Sequence, residues 1–302
     1  MAKDELELVA WLREQQRWHT TVALGIGDDL AALALNADFV LVGSDMLLDG
    51  VHFDSARHDP AQIGRKALAC ALSDCAAMAV RPVAAVVSLA LPSSMPLSEV
   101  KSMYGGMFPL AEECGAVIVG GDTTRWDHPL AIDVSVTAVS WPGIDPVTRS
   151  RARPDDLLYV TGPLGGSLLG RHLSFAPRLT EARALAENLG HRLHAMIDIS
   201  DGLSLDLWRL CEASRVGAML DERQLDEVVS ADAGRAGAED GRAPLDHALS
   251  DGEDFELLFA AAPDARELGA PAWPIGTVTN AGLSVRGADG ATRPLEPRGW
   301  VH

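Results

Sequence analysis

Apolar and polar positions alternate along this chain with two different periods. Residues 130–140, LAIDVSVTAVS, change character at every step, the period-two signature of a half-buried strand. FVLVGSDM (39–46), PVAAVVSLALP (82–92) and AVIVGGDTT, at 116–124, also read as strands, the last turning after its glycines. Helical spacing predicts helices over 4–17, 61–80 and 97–115, with Gly105, Gly106 and Pro109 weakening the third. The polar, proline-rich stretch 141–156 is read as a boundary, giving domains 1–148 and 149–302. Beyond it, 157–173 reads as strand, glycine-rich turn and helix, followed by a helix over 179–194. MIDIS (196–200) reads as a strand feeding a helix at 203–215, 232–244 as a mobile surface loop, and FELLFAAA with PAWPIGTVTNAGLSV as late strands. Strands interleaved with helices in both halves predict an α+β or α/β chain rather than a clean doubly wound sheet.

One local shape recurs. An apolar run ends, often at a small residue, and acids follow: GIGDDLAAL (25–33), LVGSDML (41–47), ACALSDCAAM (69–78), VIVGGDTTR (117–125), MIDISDGLSLDL (196–207) and SDGEDFELLF (250–259). Any one of these acids could cap a helix or close an Asx turn. As a set they ask for more. Asp74 lies inside a helical pattern, Asp198 and Asp201 flank one strand end, and Asp251, Glu253, Asp254 and Glu256 fall within six residues.

Composition narrows the partners. With 43 acidic against 25 basic residues the formal charge is -18, which disfavours bare nucleic acid and anionic membranes. Hydrophobic residues make up 47% and aromatic residues 5%, so the cores are built from Ala, Val and Leu. Cys70, Cys75, Cys114 and Cys211 form no metal-type spacing and read as reduced thiols, which with an acidic amphipathic N-terminal segment and no long apolar run suggests a cytoplasmic protein.

Nucleotide motifs are few. The lysines are Lys3, Lys66 and Lys101, none after a glycine, so there is no P-loop. GIGDDL starts like a dinucleotide fingerprint, but Leu30 occupies the third glycine position. GPLGGSLLG (162–170) could cradle an anion or simply form a tight turn. If several of the acids converge, two like charges about 4 Å apart repel by about 4 kcal/mol at an effective dielectric near ~20. Such a cluster either binds protons or holds divalent cations. Oxygen-only donors point to Mg²⁺, which commonly bridges to substrate phosphates. The residues by themselves therefore suggest phosphoryl transfer in which metals replace lysines.

LGIGDDLAAL, SDMLLDGVHF, KALACALSDCAAMAVRP, VGGDTTR, RARPDD, VTGPLGGSLLG, IDISDGLSLDL and GEDFELLF follow one another in an order and spacing that resembles the thiamine-monophosphate kinase family. That family belongs to a superfamily with aminoimidazole ribonucleotide synthetase, selenophosphate synthetase and a hydrogenase-maturation protein. The resemblance spans nearly the whole chain. It implies a two-domain α+β subunit of the aminoimidazole ribonucleotide synthetase type: an N-terminal mixed-sheet domain that binds metal and ATP and pairs in a homodimer, and a C-terminal α/β domain that completes the ATP and substrate sites. By the same resemblance Asp29, Ser44, Asp45, Asp74, Asp122, Asp198 and Asp201 are Mg²⁺ ligands; Tyr104, Gly121, Asp122, Arg149 and Ser200 are ATP contacts; and His52, Glu253 and Trp300 hold thiamine phosphate, with Asp45, Asp74, Asp122 and Arg149 central to catalysis.

The chain departs from the family pattern at Gly43, where a hydroxyl residue usually precedes Ser44, and in a shortened 171–195 segment. Two alternatives accompany this reading: another ATP-using synthetase of the superfamily, and a non-catalytic ATP- or Mg²⁺-binding protein. No cysteine sits in a glycine-rich N-terminal segment, and the chain ends GWVH rather than in a cysteine tail, which sets two of the relatives aside.

Overall fold

The computed structural model describes residues 2–15, 20–24, 32–35, 37 and 40–300. The chain divides into two compact units, residues 1–75 with 81–140, and residues 76–80 with 141–302.

In the first unit the elements are α1 (Ala2–Gln15), β1 (Val22–Leu24), β2 (Ala32–Leu33), β3 (Leu41–Leu48), α2 (Pro60–Ala77), β4 (Val80–Pro92), α3 (Leu97–Cys114), β5 (Val117–Trp126) and β6 (Ala131–Ser140). A four-stranded sheet runs in the order β3-β6-β4-β5. β3 and β6 pair antiparallel, whereas β4 and β5 are parallel and joined through α3, as a parallel pair requires. Val134 and Val136 on β6 and Val87, Leu89 and Leu91 on β4 are buried, as are Ile63, Leu68 and Leu72 on α2 and Met103 and Met107 on α3.

The glycines that weaken α3 as a sequence pattern do not break it. A Cβ on Gly106 would stand 1.9 Å from the Ala61 carbonyl oxygen, and one on Gly64 would stand 2.1 Å from that of Met103. The two glycines let α2 and α3 cross backbone to backbone, so they serve packing between helices rather than a turn within one. β5 also continues through Gly120 and Gly121 to Trp126, where the sequence suggests a turn. Both glycines sit beside a register shift in the β4–β5 ladder, and a side chain on Gly121 would meet the Val87 carbonyl at 2.0 Å.

The second unit contains β7 (Leu157–Val160), α4 (Leu179–Leu189), β8 (Leu193–Asp198), α5 (Leu203–Ser214), β9 (Gly217–Asp221), α6 (Glu222–Leu225), α7 (Ala231–Asp240), α8 (Pro244–Ser250), β10 (Leu257–Ala261), β11 (Trp273–Thr279), β12 (Leu283–Arg286) and β13 (Thr292–Pro294). Its seven-stranded mixed sheet has the order β13-β12-β9-β11-β7-β10-β8. Both faces of the central strands are covered. Leu158, Val160, Ile197 and Leu258 pack with Leu203, Leu207 and Leu210 of α5. Tyr159, Met196 and Phe259 pack with Ala182, Leu185 and Leu189 of α4. β10 is buried at every position, which is why it reads as an unbroken apolar run.

Three expectations change here. Residues 167–173 form two short 3₁₀ turns instead of a helix, because Gly165, Gly166 and Gly170 hold positive φ values of 86°, 70° and 134°. The helix begun at 179 ends at Leu189, and the strand that follows starts at Leu193. The segment read as a mobile loop is α7, N-capped by the Ser230 side chain accepting from the Ala233 N–H. The architecture is α+β, with two mixed sheets and helices layered on them.

Candidate functional site

In the first unit, β3 sets out its residues by strict alternation. Asp45 stands opposite the buried Val134 and faces the core side, while Ser44 stands opposite Ser135 on the other face. The Ser44 hydroxyl donates to Asp133 Oδ1 at 2.6 Å and lies 3.0 Å from the Ser135 hydroxyl. Asp74, on α2, lies on the Asp45 side: a Cβ at Gly43 would be 3.8 Å from Asp74 Oδ2. The Cys75 thiol records both acids, being pushed up to about 12 by burial first and then by the negative charges of Asp74, Cys114 and Asp45. Asp45 and Asp74 therefore both act on Cys75 from one side of β3, and Ser44 directs its hydroxyl to the other face. The Gly43 departure leaves room beside Asp74 that a small side chain could fill at ordinary contact distance.

Asp122, on β5, pairs in register with Ser88, whereas the neighbouring Thr123 pairs with the buried Leu89. Asp122 thus faces away from the core and accepts the Thr123 N–H at 2.8 Å. Asp29 lies outside the described residues, and among the described residues no three His, Cys, Asp or Glu side chains gather to hold a metal. Among the described residues of this unit, Asp45 and Asp74 share one side of β3. Tyr104 does not line an open site. It is buried in α3 with its ring 6.4 Å from Trp11 and 5.9 Å from Phe108, and burial pushes its hydroxyl pKa upward. His52 follows β3, and its Nδ1 accepts the Leu48 N–H at 3.0 Å, which places the ring proton on Nε2 and makes that atom a donor.

The second unit gathers more. The loop after β8 and the loop before β10 are stitched together: Glu253 N–H donates to the Ser200 carbonyl at 2.7 Å and Phe255 N–H to Ile199 at 2.8 Å. The C-terminal segment joins them where Trp300 N–H donates to the Asp201 carbonyl at 3.0 Å. Asp198, Ser200, Asp201, Glu253 and Trp300 thus meet at one end of the sheet, from three stretches of sequence. Glu253 and Phe255 hold positive φ values of 55° and 51°, a strained conformation for side-chain-bearing residues. Phe255 is fixed by stacking on Phe175 at 4.0 Å, and Glu253 by the Ser167 hydroxyl donating to its carbonyl at 2.6 Å. The Glu253 carboxylate lies 3.0 Å from Nδ1 of the buried His172.

Beside this patch Arg209 bridges Asp201 at 2.5 Å and Asp206 at 2.7 Å. Asp206 also accepts the N–H groups of Asp201 and Gly202. Its pKa is raised to about 7, by burial first and then by Asp198. Asp198, Asp201 and Asp206 supply oxygen donors only, the type a hard divalent cation takes, but Arg209 answers Asp201 and Asp206, and the three do not gather as a metal group.

The remaining acids of SDGEDFELLF are structural. Asp254 accepts the Gly165 N–H and pairs with Arg171 at 2.5 Å. Glu256 receives the Thr161 hydroxyl at 2.8 Å and a two-pronged contact from Arg178. Asp251 accepts the Gly166 N–H and contacts His247 and Arg242. The glycine-rich turn of GPLGGSLLG therefore cradles the protein's own carboxylates, which answers the anion question raised by its sequence. Arg149 is exposed, and its guanidinium makes no hydrogen bond or ion pair with a described residue, although its carbonyl accepts the Ser214 hydroxyl. Sequence reasoning missed His172, Asp206 and Arg209. The i,i+3 spacing of Asp206 and Arg209 was the one available signal.

Family models match both halves of the chain: the N-terminal domain of AIR synthase related proteins over residues 27–141, and the C-terminal domain over 115–287. A thiamine-monophosphate kinase of Rhodopirellula baltica is 40% identical, covering 99% of this chain and 97% of its own. That of Bacillus subtilis is 32% identical over 88% and 86% of the two chains. Among solved structures, the Stenotrophomonas maltophilia thiamine-monophosphate kinase superposes with a TM-score of 0.79 at 31% identity, covering 94% of this chain and 96% of its own. A ThiL structure complexed with AMPPCP and TMP superposes with a TM-score of 0.76 at 26% identity, covering 94% and 89%. An Escherichia coli hydrogenase-maturation protein, HypE, at 19% identity and a TM-score of 0.79, shares the fold. With two matching family domains in sequence and such identity along its whole length, this chain belongs to the thiamine-monophosphate kinase family.

Proposed function

We propose that the protein transfers the γ-phosphoryl group of ATP to thiamine monophosphate, forming thiamine diphosphate by direct in-line displacement. The observation that carries this reading is full-length identity of 40% to a curated thiamine-monophosphate kinase, in a chain whose Glu253 and Trp300 meet Asp198, Ser200 and Asp201 at one sheet end. The acceptor is a phosphate whose second ionisation lies near pH ~6, so its attacking oxygen is already anionic at neutral pH. No general base is needed, and no phospho-enzyme forms. The task is to bring two anions together. Arg149 offers an uncommitted planar donor for phosphate oxygens. His52 Nε2–H suits the thiamine phosphate. Trp300, 39% exposed, offers a face for the cationic thiazolium or the pyrimidine ring. Ser200 and Gly121 are assigned to ATP contacts, and Tyr104 is assigned to packing.

Asp45, Asp74, Asp198 and Asp201, with Asp29, Asp122 and Ser44, are the residues that would hold Mg²⁺, whose contribution is to neutralise phosphate charge. In this reading residues 1–148 supply the metal and ATP side, and residues 149–302 complete the ATP and substrate sites. The functional unit is a homodimer, supported by the exposed Val42 and Met46 on the outward face of β3, which sedimentation can test. A cytoplasmic location agrees with four free cysteines, three of them buried.

Chromatographic product analysis tests the reading. Purified protein with ATP, Mg²⁺ and thiamine monophosphate is expected to yield thiamine diphosphate, and to yield none with thiamine or without Mg²⁺. ATP binding with no product would favour the non-catalytic alternative.

A further inference from the structure

The second unit holds a cavity of about 340 Å³ walled by residues 143–148, by Arg151 and Arg153, and by the start of β8 with the turn before it. His194, on β8, stands four residues from Asp198, about 13 Å along the strand, so the cavity lies toward the opposite strand end from the patch described above. Its lining is cationic in a strongly acidic protein. Arg151, Arg153, His191 and His194 all border it, with Asp145 as the acid among its walls.

Two observations make it a built site rather than a dent. First, His194 is 8% exposed and its ring is fixed, with Nδ1 2.9 Å from both oxygens of the buried Asp156. Asp156 also accepts the Arg153 N–H at 2.8 Å, so one buried carboxylate positions the histidine and the arginine backbone together. With Nδ1 directed to Asp156, Nε2 is left for another partner. Second, the guanidinium groups of Arg151 and Arg153 form no hydrogen bond or ion pair with a described residue. Elsewhere in this unit Arg171, Arg178, Arg209, Arg242 and Arg286 each pair with a carboxylate. In a chain of net charge -18, two neighbouring arginines with no carboxylate between them are poised for an outside anion. Ile144, Val147 and Leu193 add apolar wall, and the volume suits a small molecule.

We propose that this cavity binds a small phosphate-bearing organic anion, with Arg151 and Arg153 on the phosphate, His194 Nε2 as a buried acceptor for a protonated phosphate oxygen and the apolar wall against the carbon portion. The site is independent of the proposed kinase reaction. The experiment is calorimetric titration of the full chain, without Mg²⁺ and with chelator, using phenyl phosphate and inorganic phosphate as probes. One saturable site is expected in the wild-type protein, tighter for phenyl phosphate, and at least ~10-fold weaker in Arg151→Glu/Arg153→Glu; that factor corresponds to about 1.4 kcal/mol. Arg235→Glu, an equal charge change per substitution on α7, is expected to leave it intact. His194→Gln is expected to weaken it while the thermal midpoint reports folding, and Arg151→Gln/Arg153→Gln serves if the glutamates disturb the fold. The proposal is overturned by no saturable binding in wild type, by equal loss in Arg235→Glu, by binding that survives the double substitution, or by a KM for ATP that rises in step with the lost site.

Discussion

Two acid-rich regions of this protein look alike in sequence and behave oppositely. Between 251 and 256 each carboxylate meets a basic partner from the protein itself: Asp251 with His247 and Arg242, Glu253 with His172, Asp254 with Arg171, Glu256 with Arg178. On β3 and α2, Asp45 and Asp74 instead stand close enough to act together as like charges on the Cys75 thiol. Three of the first group anchor a glycine-rich turn and a strand end. Beyond burial, the second pair raises the Cys75 thiol pKa from the side of β3 that faces the core, and it is assigned to Mg²⁺. Density of acids in sequence is therefore a poor guide to a metal site, because a run of carboxylates can be answered by the protein's own bases.

Breaking the second region should cost the most activity. Asp74→Asn or Asp45→Asn is expected to lower kcat by about 10²-fold or more, in line with the loss of one preorganised electrostatic element, while the thermal midpoint stays within a few degrees. Steady-state kinetics with a Mg²⁺ titration checks it; a histidine variant more harmful than both would contradict the mechanism.

Breaking the first region should cost stability instead. Arg178→Met leaves the Glu256 carboxylate buried without its main partner, and a loss of about 3–5 kcal/mol is expected in denaturant unfolding. Adding Glu256→Leu should return much of it, because the uncompensated charge is then gone. If the single variant were neutral, the structural role given to Glu256 would fail.

His172 sits where the two behaviours meet, pairing inside the unit with a carboxylate assigned to substrate. His172→Gln is expected to raise the KM for thiamine monophosphate by about 10-fold with little change in kcat, the signature of lost ground-state positioning. A fall in kcat at constant KM would place the residue in the chemical step.

The smallest effect concerns Asp254, whose pKa burial raises to about 7 against the lowering pull of Arg171 and the Gly165 N–H. Between the ordinary carboxylate value and about 7, the folded protein holds a proton there that the unfolded chain has released. Stability contributed by this group is therefore full below about pH 4 and declines as pH rises toward 7. Asp254→Asn should flatten the dependence of the thermal midpoint over that window, and an unchanged slope would contradict it.

The same contrast explains how much was readable in advance. Period-two alternation located β6, and the unbroken apolar run located β10, because a side chain's face is a local property of a strand. The 3₁₀ turns at 167–173 and the helix at 231–240 were misread. Gly165 and Gly166 owe their conformation to acids about 85 to 90 positions away, and α7 is held by α8 packing and a Ser230 cap rather than by its own polar, glycine-containing composition.

By itself the sequence narrowed the fold to α+β or α/β, excluded a P-loop, pointed to the family and its α+β subunit through ordered motifs, and carried an acidic balance that disfavours nucleic acid. These follow from composition, periodicity and order along the chain. Only the tertiary structure decided which acids are answered by arginine, that Gly64 and Gly106 exist for a helix crossing, and that His172 and Glu253 are partners. Each of those depends on groups far apart in sequence, and the energy of a charge is set by what it faces, not by its neighbours in the chain.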